Sequence, residues 1–264
     1  MTDDRAVLLF GETYHHPNVL YRTHFLAPDP VIVVDRGGDD TTMWVSTLEE
    51  GRARKEARVG TVRSTTELNV ADKMRQAGSE QDMWALLLAE VCRTQALSSV
   101  AVDGDFPAVL ADSLRARDVE VVPRSDLYRR ERRIKTQREI ETLAHIETVA
   151  MEGVQRAIDI IAAADIEDGL LTTGGGTPIS GQDLIAAVEG RMLEMGGGAE
   201  DSICCGGPES SDPHRSSSEV LRAGLPIVLD IFPFDKSTRY WGDMTRTVVR
   251  GDTPPEVERM WEAV

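Results

Sequence analysis

The first half of the chain alternates short apolar runs with segments whose apolar residues recur every three or four positions. The two runs on either side of a GGDD turn, PVIVVD and TTMWVS, predict a β-hairpin. The recurring pattern predicts helices with one buried face. Because helices and short strands alternate, we expect an α/β domain with a mainly parallel sheet. The predicted strands are 30–35, 41–46, 98–104 and 119–123, and the predicted helices are 47–57, 79–95 and 106–117.

A change of pattern near residue 130 predicts a second domain. The composition turns basic between Leu127 and Arg138, and an amphipathic helix follows from about Thr136. We therefore divide the chain into domains at 1–129 and 130–264. The apolar stripe of the helix is assigned to Ile140, Leu143, Ala144, Glu147, Ala150, Met151, Val154 and Ile158.

The second domain continues with two glycine-rich segments, 172–180 and 196–198, on either side of a helix predicted at 181–195. Neither segment has the spacing of a phosphate-binding motif, so both are interpreted as connecting loops. A strand is expected around SICCGG, and a loop ending in DPHRSSS follows it. The hairpin IVLDIFPFDKSTRYWGDMTRTVVRG, residues 227–251, comes next.

Composition and charge exclude several classes of partner. Of the 264 residues, 41% are hydrophobic and 28% are charged, which is typical of a soluble globular protein. The net charge of −16 disfavours nucleic acid and anionic membranes, because phosphate groups need a positive surface. No apolar run reaches the ~18 residues of a membrane helix, and the N-terminus does not resemble a signal peptide, so we expect a cytoplasmic protein. Cys92, Cys204 and Cys205 form no CxxC pair and are predicted to be reduced and structural.

Two aspartates, Asp230 and Asp243, interrupt the apolar strands of the hairpin. If they face each other across an antiparallel pair, residues 235–238 form the turn and both carboxylates project from one face. Two carboxylates that close cannot both stay ionised without a compensating charge, and two divalent metal ions would supply it. In the alternative interpretation both are ordinary turn or edge residues, one of them paired with Arg246 or Arg239.

The stretch LDIFPF…YWGDMTRTVVRG in this hairpin resembles the metal hairpin of the creatinase, prolidase and methionine-aminopeptidase superfamily, the "pita-bread" metallopeptidases. It is most similar to the Xaa-Pro aminopeptidase branch. Three other stretches resemble that branch in the same order along the chain. The resemblance implies a creatinase-type N-terminal α/β domain followed by an incomplete α+β pita-bread catalytic domain. The three stretches are PNVLYRTHFLAPDPVIVV (17–34), IKTQREIETL (134–143) and GGPESSDPH (206–214).

The resemblance also implies an activity and the residues that carry it. It implies a dinuclear metal-dependent aminopeptidase that hydrolyses the peptide bond before proline through a metal-bound hydroxide. Asp230 and Asp243 would be ligands of two divalent ions, Mn²⁺ in the first place and Co²⁺ or Zn²⁺ as alternatives. His214 would be a catalytic hydrogen-bond donor to the substrate or the developing oxyanion. Thr245 and Thr247 share strand parity with Asp243 and are candidates to support the ligands, but the ordinary threonine content of a β-strand explains them equally well. The implied partners are a peptide with proline at its second position and, in a homodimer, a second copy of the chain.

The sequence departs from the family pattern at several places. Twelve residues separate Asp230 from Asp243, two more than the family usually has, but an even difference keeps the strand parity. Gln137 and His24 stand where the family usually has proline and glycine. The histidine and two glutamates that complete the family's metal site have no counterpart after Asp243.

The final stretch, PPEVERMWEAV, predicts a short amphipathic helix whose apolar face has no cover. We therefore expect the sequence to be truncated and to be inactive by itself. Two alternatives stay open beside the Xaa-Pro peptidase. One is a prolidase- or creatinase-like hydrolase on the same fold, and the other is a non-catalytic pseudo-enzyme or binding module.

Overall fold

The computed structural model describes residues 5–215 and 218–263 of the chain. It divides the chain between Lys135 and Thr136 into two compact units, called here unit 1 and unit 2. Among the residues described, no helix has the length and apolar character needed to cross a membrane.

Unit 1 is an α/β unit built on one six-stranded sheet. Its strands are β1 (Ala6–Gly11), β2 (Val31–Asp35), β3 (Thr41–Val45), β4 (Thr61–Ser64), β5 (Ser99–Asp103) and β6 (Glu120–Arg124). Its helices are α1 (Pro17–Thr23), α2 (Thr47–Glu56), α3 (Val70–Gln76), α4 (Glu80–Thr94), α5 (Ala108–Arg115) and α6 (Arg129–Arg133). The strand order is β4-β3-β2-β1-β5-β6. Three of its five strand pairs are parallel, which confirms the predicted mainly parallel sheet, and β2 and β3 form the predicted hairpin.

The strand β1 lies near the centre of this sheet, although the sequence pattern does not predict it. Its apolar run is short, and consecutive residues Leu8 and Leu9 are both buried. Leu8 belongs to the hydrophobic core on one face of the sheet, whereas Leu9 belongs to the core on the other. A strand that is covered on both faces shows no apolar–polar alternation, so periodicity does not identify it.

Unit 2 packs two long helices against a small antiparallel sheet. Its helices are α7 (Gln137–Ala163), α8 (Gly181–Glu194) and α9 (Pro255–Ala263). Its strands are β7 (Asp165–Glu167), β8 (Leu170–Thr172), β9 (Gly197–Gly198), β10 (Ile203–Gly206), β11 (Pro226–Ile231), β12 (Phe234–Asp235) and β13 (Met244–Val249). The main sheet has the order β10-β11-β13, and one core joins it to α7 and α8.

The buried face of α7 matches only part of the stripe that the sequence predicts, since Ala150 and Val154 are buried as predicted. Ile140 and Met151, both assigned to the stripe, are 49% and 55% exposed, whereas Ile146 is fully buried. The contact with α8 decides which face is buried: a Cβ atom at Gly153 would lie 3.1 Å from the side chain of Met192. A small residue therefore sets the line of closest approach between the helices. The buried residues of α7 are Glu139, Ile146, Val149, Ala150, Gly153, Val154, Ala157 and Ile161.

The helix α9 forms where the sequence predicts it. None of its described residues is buried, and Met260 and Trp261 are 67% and 81% exposed. The prediction of a short helix with an uncovered apolar face is confirmed for the described residues.

Candidate metal centre

The predicted hairpin forms, but its register differs from the predicted one. The pairing of β11 with β13 puts Asp230 opposite Thr245, and an isolated bridge farther along joins Phe234 to Trp241. Asp230 and Asp243 are therefore not directly opposed, and that prediction is wrong by two residues. Asp243 instead occupies the position diagonal to Asp230.

The turn of the hairpin explains the shift. Asp235 is the last paired residue rather than the first loop residue, because its N–H donates to the carbonyl of Tyr240 at 2.8 Å. Its side-chain Oδ1 accepts the N–H of Thr238 at 2.7 Å and so caps the turn. The loop is thus residues 236–239, one residue later than predicted, and it ends at Arg239 with a φ of 60°.

Asp230 projects from the face of the sheet that is turned away from the core, called here the outer face. Along β11, Ile227, Leu229 and Ile231 are buried, whereas the residues between them, Asp230 included, are half-buried. The hydroxyl of Thr245, directly across the strand pair, donates to Asp230 Oδ1 at 2.6 Å. This bond orients the carboxylate.

Asp243 lies one residue before β13 and is exposed. Thr245 and Thr247 pair with Asp230 and Val228 and so lie on the outer face. Asp243 precedes Thr245 by two residues, so we expect it on the same face if the alternation extends beyond the end of the strand. Diagonal neighbours on one face of an antiparallel pair are about 7–8 Å apart, a distance that two carboxylates and an ion between them can span. The assignment of both aspartates as metal ligands stays a prediction.

The cations that could have neutralised the two aspartates have other partners. Arg246 donates to the carbonyl of Thr245 at 2.7 Å, and the Arg239 guanidinium lies 3.9 Å from the centroid of the Phe234 ring. In the part of the chain that the structure describes, no ion pair joins either aspartate to a cationic side chain. Among the described residues, the ion pair with Arg246 or Arg239 that the alternative interpretation expects does not form. The two carboxylates can therefore interact with solvent or with an external cation.

His214 lies in an exposed loop after the 3₁₀ helix Gly207–Ser211. Its N–H donates to Asp212 Oδ1 at 3.4 Å. Among the residues described, no hydrogen bond joins His214 to Asp230 or Asp243. Residues 216–217 of the same loop lie outside the described residues. The catalytic role of His214 stays a prediction.

The two aspartates do not by themselves provide enough ligands for a metal site. Within 5–215 and 218–263, no three histidine, cysteine, aspartate or glutamate residues are arranged to hold an ion. Cys204 and Cys205 on β10 pair opposite Leu229 and Val228, so they face opposite sides of the sheet as predicted. Burial raises the pKa of the Cys204 thiol to about 12, which keeps it protonated. The two aspartates fit a hard divalent ion, which prefers carboxylate oxygen.

A third carboxylate contacts this site, and sequence reasoning assigned it another role. Glu147 on α7 accepts the N–H of Asp243 through Oε1 at 3.3 Å. The sequence pattern placed Glu147 in the apolar stripe of that helix. The signal that could have revealed its role is a charged residue at a position that the stripe requires to be apolar.

The match to a protein-family model lies within unit 2. Residues 138–264 match the model of metallopeptidase family M24. This range begins within α7 and contains the whole hairpin. A search of the curated proteins found no match.

Solved structures with the same fold cover nearly the whole chain. Prolidase from Pyrococcus furiosus superposes on 98% of the chain with a TM-score of 0.73 and 20% identity. Xaa-Pro dipeptidase from Bacillus anthracis gives a TM-score of 0.76 with 17% identity, and X-Pro aminopeptidase from Thermotoga maritima gives 0.73 with 18%, both over 98% of the chain. The chain spans 66%, 64% and 67% of those three chains, about two-thirds of their length. At these identities the likeness shows the fold, and it confirms the predicted creatinase-type architecture.

Proposed function

We propose that this chain, which has the creatinase-type fold and whose residues 138–264 match metallopeptidase family M24, serves the hydrolysis of the peptide bond before proline. The observation that carries the proposal is that Asp230, on the outer face, and Asp243, one residue before β13, have no cation from the described part of the chain to neutralise them. A prolidase and an aminopeptidase superpose with the same TM-score of 0.73. The proposal therefore specifies the bond and not the length of the peptide.

In this proposal Asp230 and Asp243 hold divalent metal ions, with Mn²⁺ in the first place. Such ions lower the pKa of water and polarise the carbonyl of the substrate. Thr245 engages Oδ1 of Asp230, which leaves Oδ2 free to meet an ion. His214 would donate a hydrogen bond to the oxyanion that develops on the carbonyl.

The 264-residue chain is expected to bind Mn²⁺ weakly and not to cleave Xaa-Pro peptides, because two carboxylates are a small part of the ligand set of a hydrolytic metal site. Electron paramagnetic resonance of added Mn²⁺ should give a Kd of about 10⁻⁴–10⁻³ M, the range of weak oxygen-ligand sites. Asp230→Asn and Asp243→Asn should each weaken binding by about tenfold or more. Asp252→Asn, which changes an exposed aspartate outside the hairpin, is the matched control and should bind like the wild type.

The expectation has two parts, Mn²⁺ binding by the aspartates and the lack of peptidase activity, and each can be contradicted separately. If both hairpin variants bind Mn²⁺ like the control, the aspartates are not ligands and the proposed site is wrong. If the purified chain hydrolyses an Xaa-Pro peptide and a chelator abolishes the activity, the chain is an active enzyme by itself.

Thr245→Val is expected to weaken Mn²⁺ binding by up to about tenfold, because supporting partners of a ligand orient it. The change keeps the β-branched shape and removes the hydroxyl that donates to Asp230 at 2.6 Å. Thr253→Val is the matched control, since Thr253 is exposed and lies outside the hairpin. Equal Mn²⁺ affinities in the two valine variants would show that the Thr245 hydroxyl does not support the ligand.

A further inference from the structure

The chain that leads into β13 lies directly against the backbone of α7. A Cβ atom at Gly242 would lie 2.9 Å from the carbonyl oxygen of Ile146 and 3.3 Å from the nitrogen of Glu147. Only glycine permits this approach without displacement of the helix or the strand. The residue that follows, Asp243, is therefore held at a fixed distance from this turn of α7.

Strand pairing does not hold Asp243 itself. The ladder between β11 and β13 begins at Met244, so Asp243 lies outside it. The preceding Gly242 N–H donates to the carbonyl of Pro233 at 2.9 Å, but the Asp243 N–H points to the helix and donates to Glu147 Oε1 at 3.3 Å. The Asp243 N–H therefore has a side-chain acceptor on α7, whereas from Met244 onward the chain is paired with β11.

We infer that Glu147 is a positioning residue for Asp243. Its carboxylate holds the Asp243 amide against α7 and so fixes where the Asp243 carboxylate stands relative to Asp230. The expected effect of Glu147 on metal affinity rests on the proposed function. The hydrogen bond from the Asp243 amide to Glu147 does not depend on it.

This role requires an acceptor and not a charge. Glutamine keeps a side-chain oxygen at the same reach, so it preserves the bond to the Asp243 amide. Alanine removes the acceptor and leaves the amide to solvent. The difference between Glu147→Gln and Glu147→Ala therefore separates positioning from the electrostatic effect of one more negative charge beside the two aspartates.

Two measurements on the full chain test the inference. The first is the exchange rate of the assigned Asp243 amide proton by NMR without metal, which should rise about fivefold or more in Glu147→Ala and stay near the wild-type rate in Glu147→Gln. The second is Mn²⁺ affinity, which should fall at least about threefold in the alanine variant and recover in the glutamine variant. Glu141→Ala is the matched control, because Glu141 is an exposed carboxylate on the same helix that accepts from Gln137.

The outcomes distinguish this inference from the proposed function. An Asp243 amide that exchanges at the same rate in Glu147→Ala as in the control overturns the positioning role, whatever happens to metal. A glutamine variant that behaves like the alanine variant also overturns it, since charge would then be what matters. If the wild type binds no Mn²⁺ while the exchange rates follow the expected order, Glu147 positions Asp243 and the metal site is the part that fails.

Discussion

Replacing Asp35 with alanine is expected to lower the free energy of unfolding of unit 1 by about 3–5 kcal/mol, the cost of leaving a buried charge without its partner. The partner is Arg22, which donates to the Asp35 carboxylate through Nε at 2.6 Å and Nη2 at 2.9 Å. The same carboxylate accepts the hydroxyls of Tyr128 at 2.6 Å and Thr41 at 2.8 Å. Because Asp35 is only 6% exposed, water cannot replace it as the acceptor for these groups.

Urea unfolding followed by hydrogen exchange of peptides from β1 and β2 measures this effect in unit 1 alone. Asp39→Ala is the matched control, because it removes an exposed carboxylate four residues away and should change the unfolding free energy by less than about 0.5 kcal/mol. A loss below about 1 kcal/mol in Asp35→Ala would mean that the network contributes no more than an exposed ion pair.

The same carboxylate makes the stability of unit 1 depend on pH. Burial raises the pKa of Asp35, but hydrogen bonds from Arg22, Tyr128, the Gly37 N–H and Thr41 outweigh it, and the pKa falls from its ordinary value of 3.8 to about 2. Since the unfolded chain takes up this proton at a higher pH than the folded chain, the contribution is complete above about pH 4 and is lost as the pH falls towards 2. At about 1.4 kcal/mol per pKa unit it is on the order of 2 kcal/mol. Asp35→Ala should therefore flatten the loss of stability between these pH values.

The hairpin of unit 2 shows what alternation along a strand determines and what it leaves open. The side-chain pattern has a period of two, so a slip of two residues leaves every side chain on the same face. The pattern therefore predicts that Asp230 and Thr245 share a face, which they do, but it does not distinguish the predicted register from the observed one. The turn makes that choice, because the Asp235 side chain caps residues 237 and 238 and keeps Asp235 in the paired part.

Helix α7 shows a second limit of local pattern. Its start follows from periodicity and from Thr136, but the face that it buries depends on α8, which is distant in sequence. Gly153 lets α8 approach closely, and this contact turns Ile140 and Met151 outward. Periodicity therefore places Val154 correctly on the buried face but also assigns exposed residues to that face. The role of Glu147 is hidden for the same reason, since its partner Asp243 lies ninety-six positions farther along the chain.

The start of α7 is also where the tip of the hairpin is anchored. Thr136 caps the helix and accepts the N–H of Glu139, and the Glu139 side chain returns to the Thr136 N–H at 2.7 Å. The other carboxylate oxygen of Glu139, Oε1, accepts the hydroxyl of Tyr240 at 2.5 Å. One buried carboxylate thus joins the helix cap to the hairpin, three residues before Asp243.

Glu139→Ala is expected to lower the free energy of unfolding of unit 2 by about 2–4 kcal/mol, the sum of a lost cap and a lost charged hydrogen bond. Tyr240→Phe removes only the hydroxyl and should cost about 1–2 kcal/mol, and the double variant should cost less than the two single losses together by about 1 kcal/mol or more. Glu141→Ala, at an exposed position of the same helix, is the control. Urea unfolding with hydrogen exchange of α7 and β13 peptides measures all four. Strict additivity of the two single losses would mean that Glu139 and Tyr240 stabilise unit 2 independently, and that their hydrogen bond does not anchor the hairpin to α7.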